Sequence, residues 1–169
     1  KTRDITITRG IIKIPTIKWE MKEGKIAHVQ LFNFNEIAPK VFPKAFNEAL
    51  RAGAKGFILD LRNNPGGFLE VAVSLTGIFV ESGKTVVIEE FSSGKRNTFT
   101  AKGQAALKDF PLVILINKGS ASASEIMAGA IRDNNGTTII GENSFGKGTV
   151  QELKKLSDGS TLKITIARW

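Results

Sequence analysis

The chain of 169 residues has the size of one domain, long enough to bury roughly 70% of its unfolded surface without a disulfide or metal staple. Its 41% hydrophobic and 24% charged residues describe a folded globular protein, and zero cysteines and one histidine exclude thiol nucleophiles, iron–sulfur clusters and histidine-rich metal centres. The net charge of +8 sits mostly in residues 1–55, eleven basic against five acidic, with no run of like charge and no tyrosine, so nucleic acid is not expected as a partner.

Ile5 to Thr8 and Ile12 to Trp19 are rich in β-branched residues and alternate, which predicts two strands. Glu23-Gly24 is a turn, and Lys25 to Asn33 a further strand. From Asn35 to Ala52, Ile37, Val41, Phe42, Ala45, Phe46 and Ala49 recur at helical spacing, and Gly53 ends the helix. Gly56 to Leu61 is short and almost wholly apolar, the pattern of a strand covered on both faces. A loop to Gly67 and a helix from Phe68 to Val80 follow, with Phe68, Leu69, Val73, Leu75 and Phe79 expected in its core.

Thr85 to Ser93 and Arg96 to Ala101 read as strands joined through Gly94. Pro111 to Asn117 is another covered strand; its apolar run from Leu112 to Ile116 is far below the ~20 residues of a membrane helix. A helix is expected from Ser122 to Asp133, a strand from Thr137 to Gly141, and a glycine-rich loop from Glu142 to Gly148. Val150 to Leu156 should pair with Ser160 to Ala167 across Asp158-Gly159. Repeated strand–loop–helix units flanked by antiparallel strands predict an α/β core.

Three loops have the composition of a reactive site. Asp60-Leu61-Arg62-Asn63-Asn64-Pro65-Gly66-Gly67 ends a covered strand, and its paired glycines can expose N–H groups to an oxyanion. A plain strand-to-helix turn would use glycines in the same way. Gly119-Ser120-Ala121-Ser122-Ala123-Ser124-Glu125 also joins strand to helix, where the helix N-terminus favours developing negative charge on a serine. Ser122 and Glu125 also fit a capping box, which requires no chemistry. In Phe145-Gly146-Lys147-Gly148 the lysine is the only reactive side chain; burial beside Phe145 would suit it to act as a base, whereas a solvated turn would not. His28 lies mid-strand with no serine loop beside it in sequence, so a Ser-His-Asp triad is not expected.

Together, Leu59-Asp60-Leu61-Arg62-Asn63-Asn64-Pro65-Gly66-Gly67, Gly119 to Ile126, and Phe145-Gly146-Lys147-Gly148-Thr149-Val150-Gln151 resemble the carboxyl-terminal processing peptidases, or tail-specific proteases, which use a Ser–Lys dyad. The resemblance runs from about Ile12 to Trp169. It implies a Clp protease/crotonase-like α/β core with peripheral antiparallel strands. It also implies Ser122 as nucleophile, Lys147 twenty-five residues later as general base, and Gln151 as the side chain positioning that lysine. The oxyanion donors would be the Ala123 N–H and one N–H from Gly66-Gly67. No metal or cofactor is called for.

The implied substrate is a protein or peptide with an apolar C-terminal tail, cleaved through an acyl-enzyme. The implied location is extracytoplasmic, in a bacterial periplasm or at the outer face of the cell membrane, where the full-length protein has the option of membrane association. Residues 1–9 resemble the last strand of a PDZ domain otherwise missing from this chain, and residues 10–169 a protease core shortened at its C-terminus. Two other functions fit the loops: a crotonase-like acyl-CoA enzyme that needs only the two N–H donors, and a scaffold that binds peptides without cutting them.

Overall fold

Strands that are almost wholly apolar are stable only when covered on both faces, and Gly56–Asp60 (β3) and Leu112–Ile116 (β6) are interior strands of a five-stranded sheet. The computed structural model describes Ile5, Gly10 and residues 14–169. The other strands of this sheet are Ile17–Lys22 (β1), Ile26–Leu31 (β2) and Thr138–Gly141 (β7), in the order β1-β2-β3-β6-β7. β1 and β2 form an antiparallel pair across a 3-10 turn at Glu23–Lys25, and every other pairing in the sheet is parallel. The strand expected at Ile5 to Thr8 lies outside the described residues apart from Ile5, as does most of the 1–9 segment likened to a PDZ strand. Of the second expected strand, Ile12 and Lys13 lie outside the described residues; β1 starts at Ile17 and runs three residues beyond Trp19, because pairing with β2 carries it to the turn.

The helix Ala38–Arg51 (α1) forms despite Pro39 and Pro43. Pro39 falls in the first turn, where no intrahelical donor is lost, and the Asn35 side chain accepts the Ile37 and Ala38 N–H groups at 3.1 Å each. Leu69–Thr76 (α2) is shorter than the expected Phe68 to Val80. It stops at Gly77, whose position leaves no room for a side chain: a Cβ there would lie 2.1 Å from the Lys102 carbonyl oxygen. Phe42, Phe46, Phe57 and Phe79 pack with centroid separations of 4.6–6.2 Å, joining α1, β3 and the turn after α2 into one core.

A second, antiparallel sheet contains Thr85–Phe91 (β4), Arg96–Thr100 (β5), Thr149–Lys155 (β8) and Thr161–Arg168 (β9), in the order β5-β4-β9-β8. Helix Ala123–Asn135 (α3) packs against α2 and β4, and so links the two sheets. The α/β architecture with peripheral antiparallel strands is present as expected. No described helix is long and apolar enough to cross a membrane.

Candidate active site

Strand order decides which loops meet. β3, β6 and β7 are parallel neighbours, so the segments leaving their carboxyl ends (61–68, 117–122 and 142–148) emerge on the same edge of the sheet. These are the three loops singled out from sequence.

The first two are fastened by buried polar groups. Asn64, wholly buried, donates to the Leu31 carbonyl at 2.7 Å and accepts the Gly66 N–H at 2.9 Å. Its own carbonyl accepts the Ala121 N–H (3.0 Å) and the Ser124 hydroxyl (2.9 Å). Ser120 donates to the Leu61 carbonyl at 2.8 Å. Ser120 and Ser124 are fully buried and spent on holding loops together, whereas Ser122 is half-buried and free to face the cleft. Gly66 has φ +97°, and a Cβ on it would lie 2.6 Å from the Ala121 oxygen and 2.9 Å from Ser122 Cβ. Only glycine lets this turn lie directly on the serine turn.

Ser122 stands at φ +56°, ψ −116°, a conformation that non-glycine residues seldom adopt and that surrounding structure must enforce. Much of the enforcement comes from Glu125. Its Oε2 accepts the Ser122 N–H at 2.6 Å and the Lys147 N–H at 3.2 Å, while its Oε1 accepts the Ser144 hydroxyl and the Gly146 N–H, both at 2.7 Å. One carboxylate therefore ties the serine turn to the lysine loop. Ser122 and Glu125 form the expected capping box, with Glu125 taking the Ser122 N–H and the Ser122 side chain facing the Glu125 N–H, which also reaches the Ser122 carbonyl at 2.8 Å. The sequence pattern Ser-x-x-Glu was visible; that the glutamate reaches a loop twenty residues downstream was not.

Ser122, Lys147, Gln151 and Gly67 line one cleft of about 470 Å³, whose walls come from α3, β8 and the start of α2. No hydrogen bond joins Ser122 to Lys147. Among the described residues the Ala123 and Gly67 N–H groups have no intramolecular acceptor, whereas the Gly66 N–H is taken by Asn64. Of the two glycines offered by the sequence, Gly67 has the free donor at the cleft.

Two expectations fail locally. Phe145 is 69% exposed, its ring spent in solvent and not as apolar cover for Lys147. Phe68, expected in a helix core, precedes α2 at 52% exposure and lines the cleft beside Gly67. His28 lies on β2 outside the cleft, 2.9 Å from the buried Asp60, which also takes two side-chain hydrogen bonds from Arg62 (2.9 and 2.7 Å). Burial pushes the Asp60 carboxyl up, but the hydrogen bonds from Arg62 and His28 outweigh it and hold it below the ordinary aspartate value. The described residues contain no cluster of His, Cys, Asp or Glu fit to hold a metal ion.

Residues 25–169 match Peptidase family S41. The chain is 40% identical to the "Carboxy-terminal processing protease CtpA" of Bacillus subtilis over 166 residues, covering 98% of this chain and 35% of that protein. It is 38% identical to the "Carboxyl-terminal-processing protease" of Synechocystis sp., covering 99% of this chain and 40% of that protein. Its fold is similar to that of a solved "Photosystem II D1 C-terminal processing protease", with a TM-score of 0.83 and 34% identity over 95% of this chain and 45% of that one. The chain thus spans 35–40% of the length of these two curated relatives. The strained serine, the glycine turn laid on it and the lysine loop occur in a chain alike to these proteins along nearly its whole length, and the chain belongs to peptidase family S41.

Proposed function

We propose that this chain is the catalytic core of a serine endopeptidase that cleaves protein substrates near an apolar C-terminus through an acyl-enzyme. Ser122 held at φ +56° in a cleft shared with Lys147 is the observation that carries the proposal. A serine hydroxyl is a poor nucleophile at its free pKa and needs a base. Lys147 in its neutral form takes the Ser122 proton as Oγ attacks the scissile carbonyl carbon. The resulting oxyanion is met by the free N–H groups of Ala123 and Gly67, at the positive end of α3. Lysine then returns the proton to the leaving amine, and water repeats the sequence on the acyl-enzyme. Gln151, on β8 at the cleft, orients the lysine.

Apolar side chains such as Leu69, Phe99, Ile126 and Leu153 line the same cleft and suit an apolar tail. Ser122 and Lys147 have no hydrogen bond to each other, and bound substrate brings the dyad into contact. An extracytoplasmic location follows from the family resemblance.

The test is to incubate the chain, and its Ser122→Ala variant, with a peptide of apolar C-terminus and read the products by mass spectrometry. Cleavage by the first and none by the second is expected. Cleavage by both overturns the assignment of Ser122, and binding of the peptide without products by either protein points to the scaffold. Binding of a coenzyme A thioester in place of the peptide points to the acyl-CoA enzyme.

A further inference from the structure

One group in the Ser122 cleft has no task in peptide hydrolysis. Glu89 lies on β4, where Val87 and Glu89 point inward and Ile88 and Glu90 outward, and it is only 6% exposed. Among the described residues its carboxylate has neither an ion pair nor a side-chain hydrogen bond, yet it lines the cleft together with Ser122 and Lys147. Its oxygens reach the cleft, since no described buried side-chain oxygen lacks a partner, and a bound peptide that displaced the cleft water would leave this charge unpaired unless it brought a cation or hydrogen-bond donors.

Its place in the fold is fixed by the packing of β4 on α3. The Asn134 side chain, at the far end of α3, donates to the Thr85 carbonyl at 3.0 Å. Four residues of strand and about two turns of helix both span ~13 Å, so β4 delivers Glu89 to the level of Ile126, one turn from Ser122. The cleft wall holds Glu70, Glu89 and Glu152 against Lys147 and Lys163, an acidic excess within a chain of net charge +8. Neither lysine forms an ion pair with Glu89. A lasting pair with Lys147 would also hold the proton that a general base has to release.

We propose that Glu89 is a specificity residue of the cleft, receiving a basic side chain, Lys or Arg, of the bound peptide beside the scissile bond. This rests on the cleft being a peptide site, as argued above. The substrate it selects is an apolar tail carrying one basic residue at a fixed distance from the cut. The guanidinium or ammonium group supplies the donors that the displaced water gave up and leaves no charge unpaired in the complex.

The experiment uses the Ser122→Ala chain, which binds without cutting, and a set of apolar peptides in which lysine or norleucine is moved along the sequence. Dissociation constants are read with Glu89 present and in Glu89→Gln. At one position lysine is expected to bind roughly tenfold tighter than norleucine, the strength of a hydrogen-bonded charge. Glu89→Gln should remove that preference and leave the norleucine affinities unchanged. Equal affinities at every position overturn the proposal, as does a preference that survives Glu89→Gln or a variant that weakens both peptides alike. If Glu89→Gln fails to fold, Glu70→Gln and Glu152→Gln decide the matter: a lysine preference that survives both belongs to Glu89, and one that either removes overturns the proposal. A lysine preference in binding without cleavage by the chain carrying Ser122 would refute the peptidase and leave this inference standing; cleavage without a preference would do the reverse.

Discussion

Ser122 keeps a backbone conformation that costs of order 1–3 kcal/mol for a non-glycine residue, and its neighbours supply what holds it there. The division of labour among three serines gives a sharp expectation. Ser122→Ala should abolish peptide cleavage and leave the urea unfolding midpoint close to that of the parent. Ser120→Ala and Ser124→Ala should do the opposite: each removes a buried donor to a loop carbonyl, costs about 1–3 kcal/mol of stability, and leaves substantial activity. Loss of activity only in the Ser120 or Ser124 variant would move the nucleophile. Glu125 accepts four hydrogen bonds, and an amide in its place can accept through one oxygen only. Glu125→Gln should therefore lower kcat by roughly 10–100-fold with a smaller change in KM, because it loosens the placement of Ser122 and Lys147 rather than the grip on substrate. Steady-state kinetics on one peptide check this.

At the scale of elements, the loop 61–68 is built to lie under the serine turn, and both of its glycines are indispensable. A Cβ on Gly67, at φ +148°, would meet the Phe34 carbonyl oxygen at 2.4 Å, so Gly67→Ala should destabilise by about 2–4 kcal/mol and displace the free N–H. Thermal unfolding and peptide cleavage measured together separate the two effects. The same loop is anchored by Asp60. Its carboxyl is held below the unfolded value, so the stability it adds is present above about pH 4 and is lost as pH falls through the lower, folded value. Asp60→Asn should cost about 2 kcal/mol at pH 7, discounted because Arg62 is half-exposed, and that difference should shrink toward zero near pH 2 in urea titrations.

How far the sequence could be read differs between these elements. The covered strands β3 and β6, helices α1 and α3, and the pairing of β8 with β9 follow local periodicity, and local periodicity is legible. The close seat of Gly77, where α2 ends, against Lys102 was not, because it is a contact across twenty-five residues of chain. The three loops were legible one by one through their glycines and small residues. Their meeting depends on the strand order β3-β6-β7, which no single loop encodes. Glu125 was visible only as a cap for the same long-range reason, and the inward turn of Glu89 depends on packing between two sheets.

For the molecule as a whole, one edge of a mostly parallel sheet presents a serine, a lysine and two unclaimed N–H groups, and α3 sets them against the antiparallel sheet that closes the cleft. The basic surface charge lies largely outside this cleft, whose own side chains lean acidic. Such an arrangement separates general solubility from local recognition. Whether Lys147 acts as a base or merely as a positive charge is decided by kcat/KM for an apolar-tailed peptide, as a function of pH, for the parent chain and for Lys147→Arg. Arginine keeps the charge but does not lose its proton in the accessible range. With Lys147 as the base, parent activity rises with pH as the base deprotonates and then levels off, and Lys147→Arg is reduced by about 100-fold or more at every pH. A Lys147→Arg protein with activity near that of the parent would contradict the Ser–Lys mechanism.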